Sequence, residues 1–406
     1  MKEVKKFVYI ALVAGGMLGS FISCDYLDVS KELSENLTLE QVFNNPGYTK
    51  RWQANIYNCI PNYSEMGKEA TTGFTGIWNL MSGQVVANTT AVGTQMLTGF
   101  NSSNASFHRW ATLYKYIRQG FIFLDNAKDY MGSEQDVSYI SKKDMDRLKA
   151  ETKFLIAYSY FSLFELYGPV PLITEIEDPE NKTIDYPRAS VDEIVNYIDR
   201  LLQEVLDSNA LPETLFTESA SGSLDYEHNN DRYNLKEIVR PTKVTVLALR
   251  AKLWVYAASP LFNGGYGEAL QLTNKDGKHL FPDEDKTKWN TAKTHLETLF
   301  TFAEAKGHKL YYSKPGSNGL PDPNLSVYEL FQYYNDEILW ANGNNSYRIV
   351  GNDMERRTCP RGANGFCNIG LYQEGVDAFF TKNGLTIEED PEYNDCLLYT
   401  SPSPRD

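Results

Sequence analysis

The sequence predicts a mainly α fold built from stacked helix pairs, and three observations carry that prediction. Apolar residues recur at helical spacing through most of the chain after residue 25. Several of these runs open on a capping signal, at Thr38-x-x-Gln41, Ser141-x-x-Asp144 and Ser190-x-x-Glu193, where a hydroxyl can satisfy a backbone N–H that the first turn leaves unpaired. Small side chains cluster where a neighbouring helix would cross, at Ala248, Ala251, Ala257 and Ala258.

Each element follows in order. The stretch "TLEQVFNNPGYTKRWQANIYNCI" opens on the Thr38 capping box and carries Val42, Phe43, Ile56 and Tyr57 at helical intervals. Residues 62–105 are rich in Gly, Thr, Ser and Asn around Trp78, and read as a long irregular segment of the kind that carries function. Helical spacing returns at residues 107–130, with Trp110, Leu113, Tyr114, Ile117, Phe121 and Leu124 on one stripe. The Ser141 cap opens a helix through "LIAYSYFSLFELYGPVPLIT", whose rings lie almost all round it and leave only Ser159, Ser162 and Glu165 as a narrow polar stripe. Pro169 and Pro171 cannot continue that helix, so it reads as a core element with a stiff exit.

From Ser190 the apolar face is Val191, Ile194, Val195, Ile198, Leu201, Leu202 and Val205. A polar loop over about 208–236 precedes the alanine-rich "RPTKVTVLALRAKLWVYAASPLFN", which ends at Pro260. The following helix presents Trp289, Ala292, Leu296, Leu299, Phe300 and Ala303 as its core face and stops at Gly307. After residue 308 the chain is loop-rich, with a short strand-like "EILWA" in which Trp340 reads as core. Tyr311 and Tyr312 read as packing residues as well. Helix pairs of this sort, joined by loops of unequal length, predict a tetratricopeptide-like array with an elaborated loop face.

Composition bounds the function. A net charge of -14, with no basic cluster beyond the first residues, argues against nucleic acid as a partner. Lys2, Lys5 and Lys6 precede the apolar run "FVYIALVAGGMLGSFIS" and then Cys24, the pattern of a lipoprotein signal peptide over residues 1–23 with Cys24 as the acylated residue. Phe21 stands where such signals usually carry Leu, and a plain signal peptide cut nearby is the alternative. Export to an oxidising compartment permits a Cys359–Cys367 bridge, and no cysteine or histidine spacing points to zinc. The histidines, His108, His228, His279, His295 and His308, read as surface or helix residues.

No motif for an acyl-transfer nucleophile, a zinc protease, a P-loop or a dinucleotide fold occurs, so no catalytic residue is assigned and no cofactor is implied. The run "TIEEDPEYND" reads as a solvated acidic loop, with a calcium contact as the alternative. What remains is aromatic material in loops beside amides, the pairing that sugar rings ask for, since they present apolar faces edged by hydroxyls. Trp78 beside Asn79 and Gln84 fits this description, as do Tyr347 and Arg348 beside Asn342, Asn344 and Asn345. Tyr63 and the pair Tyr333-Tyr334 fit it more weakly, and packing under a long loop is the competing reading for each.

Several motifs then carry a resemblance. "SCDYLDV", "TLEQVF…YNCI", "KAETKFLIAYSYFSLFELYGPVPLIT", "YPRASVDEIVNYIDRLL", "ALRAKLWVYAASPLFN" and "EGVDAFFTKNGL" resemble, in this order, the SusD/RagB family of surface lipoproteins of Bacteroidota. The resemblance spans about residues 21–394. It implies four tetratricopeptide-like helix pairs and a non-enzymatic, surface-exposed glycan binder, lipid-anchored in the outer membrane, that serves a SusC-like TonB-dependent transporter. A protein-only adaptor, or a binder of peptide or another nutrient, is the alternative. It also implies one domain over residues 24–394, with an N-terminal part to about 230 and an incomplete C-terminal part from about 231. Family members usually continue further, and residues 395–406, ending "CLLYTSPSPRD", read as a non-native tail. Asp25 after the lipidated Cys24 accompanies surface export in this family.

Overall fold

The structure, a computed structural model, describes residues 37–61, 78, 82–87, 108–176, 186–216, 233–317, 319–342, 358–367, 369–381 and 383–393. In chain order the elements are α1 (Leu39–Asn44), α2 (Pro46–Ile56), β1 (Val85–Ala87), α3 (Trp110–Asn126), α4 (Lys142–Tyr167), α5 (Val191–Asp207), α6 (Lys243–Ala258), α7 (Gly267–Leu270), α8 (Thr287–Ala305), α9 (Pro323–Leu330), β2 (Ile369–Leu371) and α10 (Gln373–Asp377). Successive helices stack: α3 packs on α4, α4 on α5, α5 on α6 and α6 on α8, the mainly α, tetratricopeptide-like arrangement that the periodicity predicts. Among the described residues, no helix is long and apolar enough to cross a membrane.

The caps form as the sequence dictates. Thr38 and Gln41 make a reciprocal capping box, as do Ser190 and Glu193, and the Ser141 hydroxyl accepts from the Asp144 N–H. The first helical stretch is two helices rather than one. Asn45 sits in an extended conformation that Pro46 requires of its predecessor, and its side chain then caps α2.

Everything else is arranged around α4. From Phe154 to Phe164 every residue is buried, so neighbours cover all its faces. Each large side chain in this run contributes about 1.5–3 kcal/mol through burial. Ser159 and Ser162 are buried too, which corrects their reading as a polar stripe. The Ser159 hydroxyl donates to the Leu155 carbonyl one turn back, so helix geometry supplies its partner. A Cβ on Gly120 would stand 2.7 Å from Ile156 Cγ1, and this glycine lets α3 lie close against α4. Gly168 ends α4 at φ 65°, a conformation that side-chain-bearing residues resist.

A carboxylate is buried in this core. Glu151 of α4 is inaccessible to solvent, and its carboxylate accepts from Arg147 Nε at 3.0 Å, Arg240 Nε at 2.9 Å and the Tyr57 hydroxyl at 2.8 Å. Glu237 bridges the same two arginines, at 2.9 Å from Arg147 and 2.6 Å from Arg240. The network ties the end of α2, the middle of α4 and the segment entering α6. A second clamp joins α5 to α6, where Arg250 grips Asp199 through two nitrogens at 2.6 and 2.8 Å and Trp254 donates to the same carboxylate at 2.8 Å.

Several face assignments change. On α3 the buried set is Leu113, Tyr116, Ile117, Gly120, Ile122 and Phe123, while Trp110, Tyr114, Phe121 and Leu124 are only partly covered. On α8, Ala292, Leu299 and Ala303 are buried as expected, but Trp289 and Phe300 are 49% and 61% exposed. Lys288 is buried in their place, its ammonium 2.6 Å from Asp192. The segment "EILWA" is not a strand, and none of the described residues pairs with it. Trp340 is held instead by its Nε1–H, which donates to the Val239 carbonyl, and by edge-on contacts with Phe154 and Tyr158. Helix α9 lies within the stretch read as loop, capped by Asp322. Strand β1, inside the segment read as irregular, pairs antiparallel with β2. Tyr311 is buried, whereas Tyr312 is exposed. His308 is also buried rather than superficial, with its Nδ1 at 2.8 Å from the Asp336 carbonyl oxygen.

Removing the Glu151 carboxylate leaves the Nε–H groups of Arg147 and Arg240 and the Tyr57 hydroxyl without their buried acceptor, with only Glu237, among the described residues, still holding the two arginines. Glu151→Ala should therefore lower unfolding free energy by about 3–5 kcal/mol, read by urea denaturation. A loss below about 1 kcal/mol, the range of an exposed ion pair, would contradict this role.

A pH dependence follows as well. Burial raises the Asp199 and Glu237 carboxyls, but their arginine partners outweigh it and hold both below the usual carboxylate range. Burial, with Arg250 nearby, also lowers His295 below its ordinary value. All three bind protons less readily folded than unfolded, so their stabilisation is present at neutral pH and lost on acidification. It fades first below about pH 6.5, from His295, and again below about pH 4, from the carboxylates. Melting temperature should fall in both ranges, and Asp199→Asn should flatten the lower limb. An unchanged lower limb in that variant would show that Asp199 is not the group responsible.

Candidate ligand-binding site

A pocket of about 320 Å³ opens between α4 and α6. From α4 come Tyr158, Phe161 and Glu165, spaced three and four apart and so on one helix face. From α6 come Thr245, Ala248, Leu249 and Lys252, again on one face, and the small Ala248 leaves room beside larger neighbours. Ile60 and Pro61, with Trp340, Ala341 and Asn342, complete the lining.

Its polar groups are few and held in place. The Glu165 carboxylate accepts from Lys252 Nζ at 3.1 Å and from the Tyr256 hydroxyl at 2.8 Å. The Lys252 ammonium also lies 5.1 Å from the ring centre of Phe161, an attraction that keeps its long side chain along the wall. With Thr245 and Asn342 added, the site combines apolar walls, one ion pair and a few hydrogen-bonding groups, and it carries no net charge. Such a surface suits a neutral ligand with apolar faces and hydroxyl edges.

Pro61 and Asn342 stand side by side at the rim. Asn342 Nδ2 reaches the Pro61 carbonyl at 3.5 Å, the outer limit of a hydrogen bond. In the sequence, Pro61 and Asn342 immediately precede residues 62–77 and 343–357, which include Tyr63, Tyr347 and Arg348. Tyr63, Asn79, Asn344, Asn345, Tyr347, Arg348 and Cys24 themselves lie outside the described residues. Trp78 is described and is 36% exposed, with no contact that brings it to the pocket. Gln84 belongs instead to the β1–β2 ribbon, where its carbonyl accepts from the Tyr372 N–H at 2.9 Å. Tyr333 is exposed, and Tyr334 is largely buried with its hydroxyl at 3.3 Å from the Ile338 carbonyl.

Tyr158, Phe161, Glu165 and Lys252 were not legible as lining residues. On each helix alone they read as core or surface, and only the packing of α4 on α6 sets them face to face.

The cysteines and acids behave structurally. Among the described residues Cys59, Cys359 and Cys367 are free thiols, and the bridge that the compartment permits is not formed. Cys367 donates its N–H to the Cys359 carbonyl at 3.1 Å, so the two are nonetheless neighbours. Burial pushes the Cys59 thiol up to about 12, which keeps it protonated and unreactive. In the acidic run after Thr386, Asp390 is buried and accepts from Asn383 Nδ2, so this loop folds on itself rather than lying fully solvated. Among the described residues, no group of three histidine, cysteine or carboxylate side chains stands close enough to hold a metal ion.

Residues 25–223 match a SusD-like family described as "Starch-binding associating with outer membrane". Among solved structures, BT4246 superposes with a TM-score of 0.59 at 21% identity, over 86% of this chain and 59% of that one. A SusD-like protein (BF3747) from Bacteroides fragilis gives 0.52 at 17% identity, over 85% and 55%. A SusD-like carbohydrate binding protein (BF0978) from Bacteroides fragilis gives 0.51 at 14% identity, over 87% and 57%. At these identities the likeness is one of fold, and the chain spans less than two thirds of each of these structures. Compared by sequence with curated proteins, the chain finds no match. Residues 25–223 thus belong to the SusD-like family, and the helical fold of the described residues is the one that these SusD-like structures share.

Proposed function

We infer that the protein is a surface glycan binder, anchored in the outer membrane through a lipid on Cys24, that passes saccharide to a SusC-like TonB-dependent transporter. The observation that carries this reading is the match of residues 25–223 to a family described as starch-binding and outer-membrane-associated. The pocket between α4 and α6 supports it chemically. Tyr158, Phe161 and Trp340 offer ring surface, and Asn342, Thr245 and the Glu165–Lys252 pair offer partners for hydroxyls. Affinity would come from excluding water along apolar sugar faces while each hydroxyl keeps a partner.

Titration calorimetry against oligosaccharides, with maltoheptaose as the starch-type probe, tests the reading. At least one saccharide should bind without releasing products. Ala248→Phe, which fills the pocket, should abolish that binding, and Asn342→Ala should weaken it by about three- to tenfold while the melting temperature holds. Undiminished binding in both variants would move the site elsewhere. A panel with no binder at all would favour a protein-only adaptor.

A further inference from the structure

A second concavity, of about 610 Å³, lies against α5 and carries the opposite electrostatic character from the rest of this acidic chain. Arg188, Arg200 and Lys278 line it together with a single acid, Glu193. Lys278 is satisfied by Glu193 at 2.5 Å, which leaves two arginines in excess. Arg188 is positioned rather than neutralised. One nitrogen donates to the Pro169 carbonyl at 2.7 Å, and its guanidinium carbon lies 5.8 Å from the ring centre of Trp110. Among the described residues, no carboxylate meets Arg200. Its guanidinium carbon lies 5.2 Å from the ring centre of Tyr197, and Glu204, one turn along α5, is taken by Lys153 at 2.7 Å.

Two guanidinium forks over aromatic rings, with an amide at Asn196 and an apolar wall at Leu172, do not suit the neutral ligand of the first pocket. Guanidinium matches carboxylate oxygens two by two, and the ring beneath it limits the entropy lost on binding. The retained charge of Glu193 opposes a dianionic phosphate more strongly than a monoanionic carboxylate. We propose that this groove binds the carboxylate groups of a saccharide that contains uronic-acid units. The choice of a sugar as carrier rests on the glycan-binding reading above, and the preference for carboxylate rests on the groove alone. With the neutral pocket between α4 and α6, it describes a ligand having both uncharged and acidic sugars.

The test is titration of the full chain with a galacturonic-acid tetramer, a neutral hexose tetramer and free glucuronate. Arg200→Gln is the principal variant, since Arg200 is exposed and its described side-chain contact is with the ring of Tyr197. Lys278→Gln, also at an exposed position, serves as the second. The acidic tetramer should bind the unaltered protein, weaken steeply between 50 and 300 mM salt, both approximate settings, and lose about tenfold in affinity on Arg200→Gln. Binding of the neutral tetramer should not respond to Arg200→Gln. Equal affinity for the two tetramers, with no effect of either substitution, would overturn the inference and leave saccharide binding intact. If neither tetramer binds but glucuronate does, and Arg200→Gln abolishes it, the groove's carboxylate preference stands and the glycan-binding reading falls.

Discussion

The buried carboxylate of Glu151 sets the terms for the rest of the structure. A charge at the centre of an apolar helix is tolerable only when its desolvation is repaid by well-placed partners. Arg147, Arg240 and Tyr57 supply them, each from a different turn or element. That requirement fixes where the chain must be before α3 and where it must enter α6. With both ends pinned, α4 can be apolar on every side, because α3, α5 and α6 are obliged to cover it. Gly120 permits the closest of these approaches, against Ile156.

The scaffold and the ligand surface are therefore one construction. Tyr158 and Phe161 belong to the same buried run that α4 needs for stability, yet their outer edges line the pocket. Trp340 works in both senses, locked by the Val239 carbonyl and exposing part of its ring to the pocket. A binding wall made from core residues is stiff, which reduces the ordering cost of capturing a ligand. The groove on α5 follows the same logic with charge, since Arg188 and Arg200 are laid over rings that the core already holds in place.

Helices and caps were readable because their causes are local. Thr38 and Ser190 find their partners three residues away, and the 3.6-residue period needs no knowledge of the fold. Which apolar residues end up covered is a different question, decided by neighbours. Trp289 and Phe300 have the right spacing on α8, but the side that α6 covers holds Ala292, Leu299 and Ala303 instead. "EILWA" has strand-like composition and, among the described residues, lacks a strand to pair with. The "KAE" resemblance marked Glu151 without saying why, and the reason is a contact with residues 89 and 94 positions away. At the pocket, an amide beside loop aromatics pointed to Asn342, while Glu165 and Lys252 stayed hidden because they meet across 87 residues of chain.

The most direct measurement is a crystal structure of the protein with its best-binding oligosaccharide. A saccharide held between α4 and α6 should show a ring packed against Trp340 and hydroxyls within hydrogen-bonding distance of Asn342 and the Glu165–Lys252 pair. Well-ordered sugar elsewhere, with this pocket filled only by solvent, would contradict the assignment of the ligand to the α4–α6 pocket.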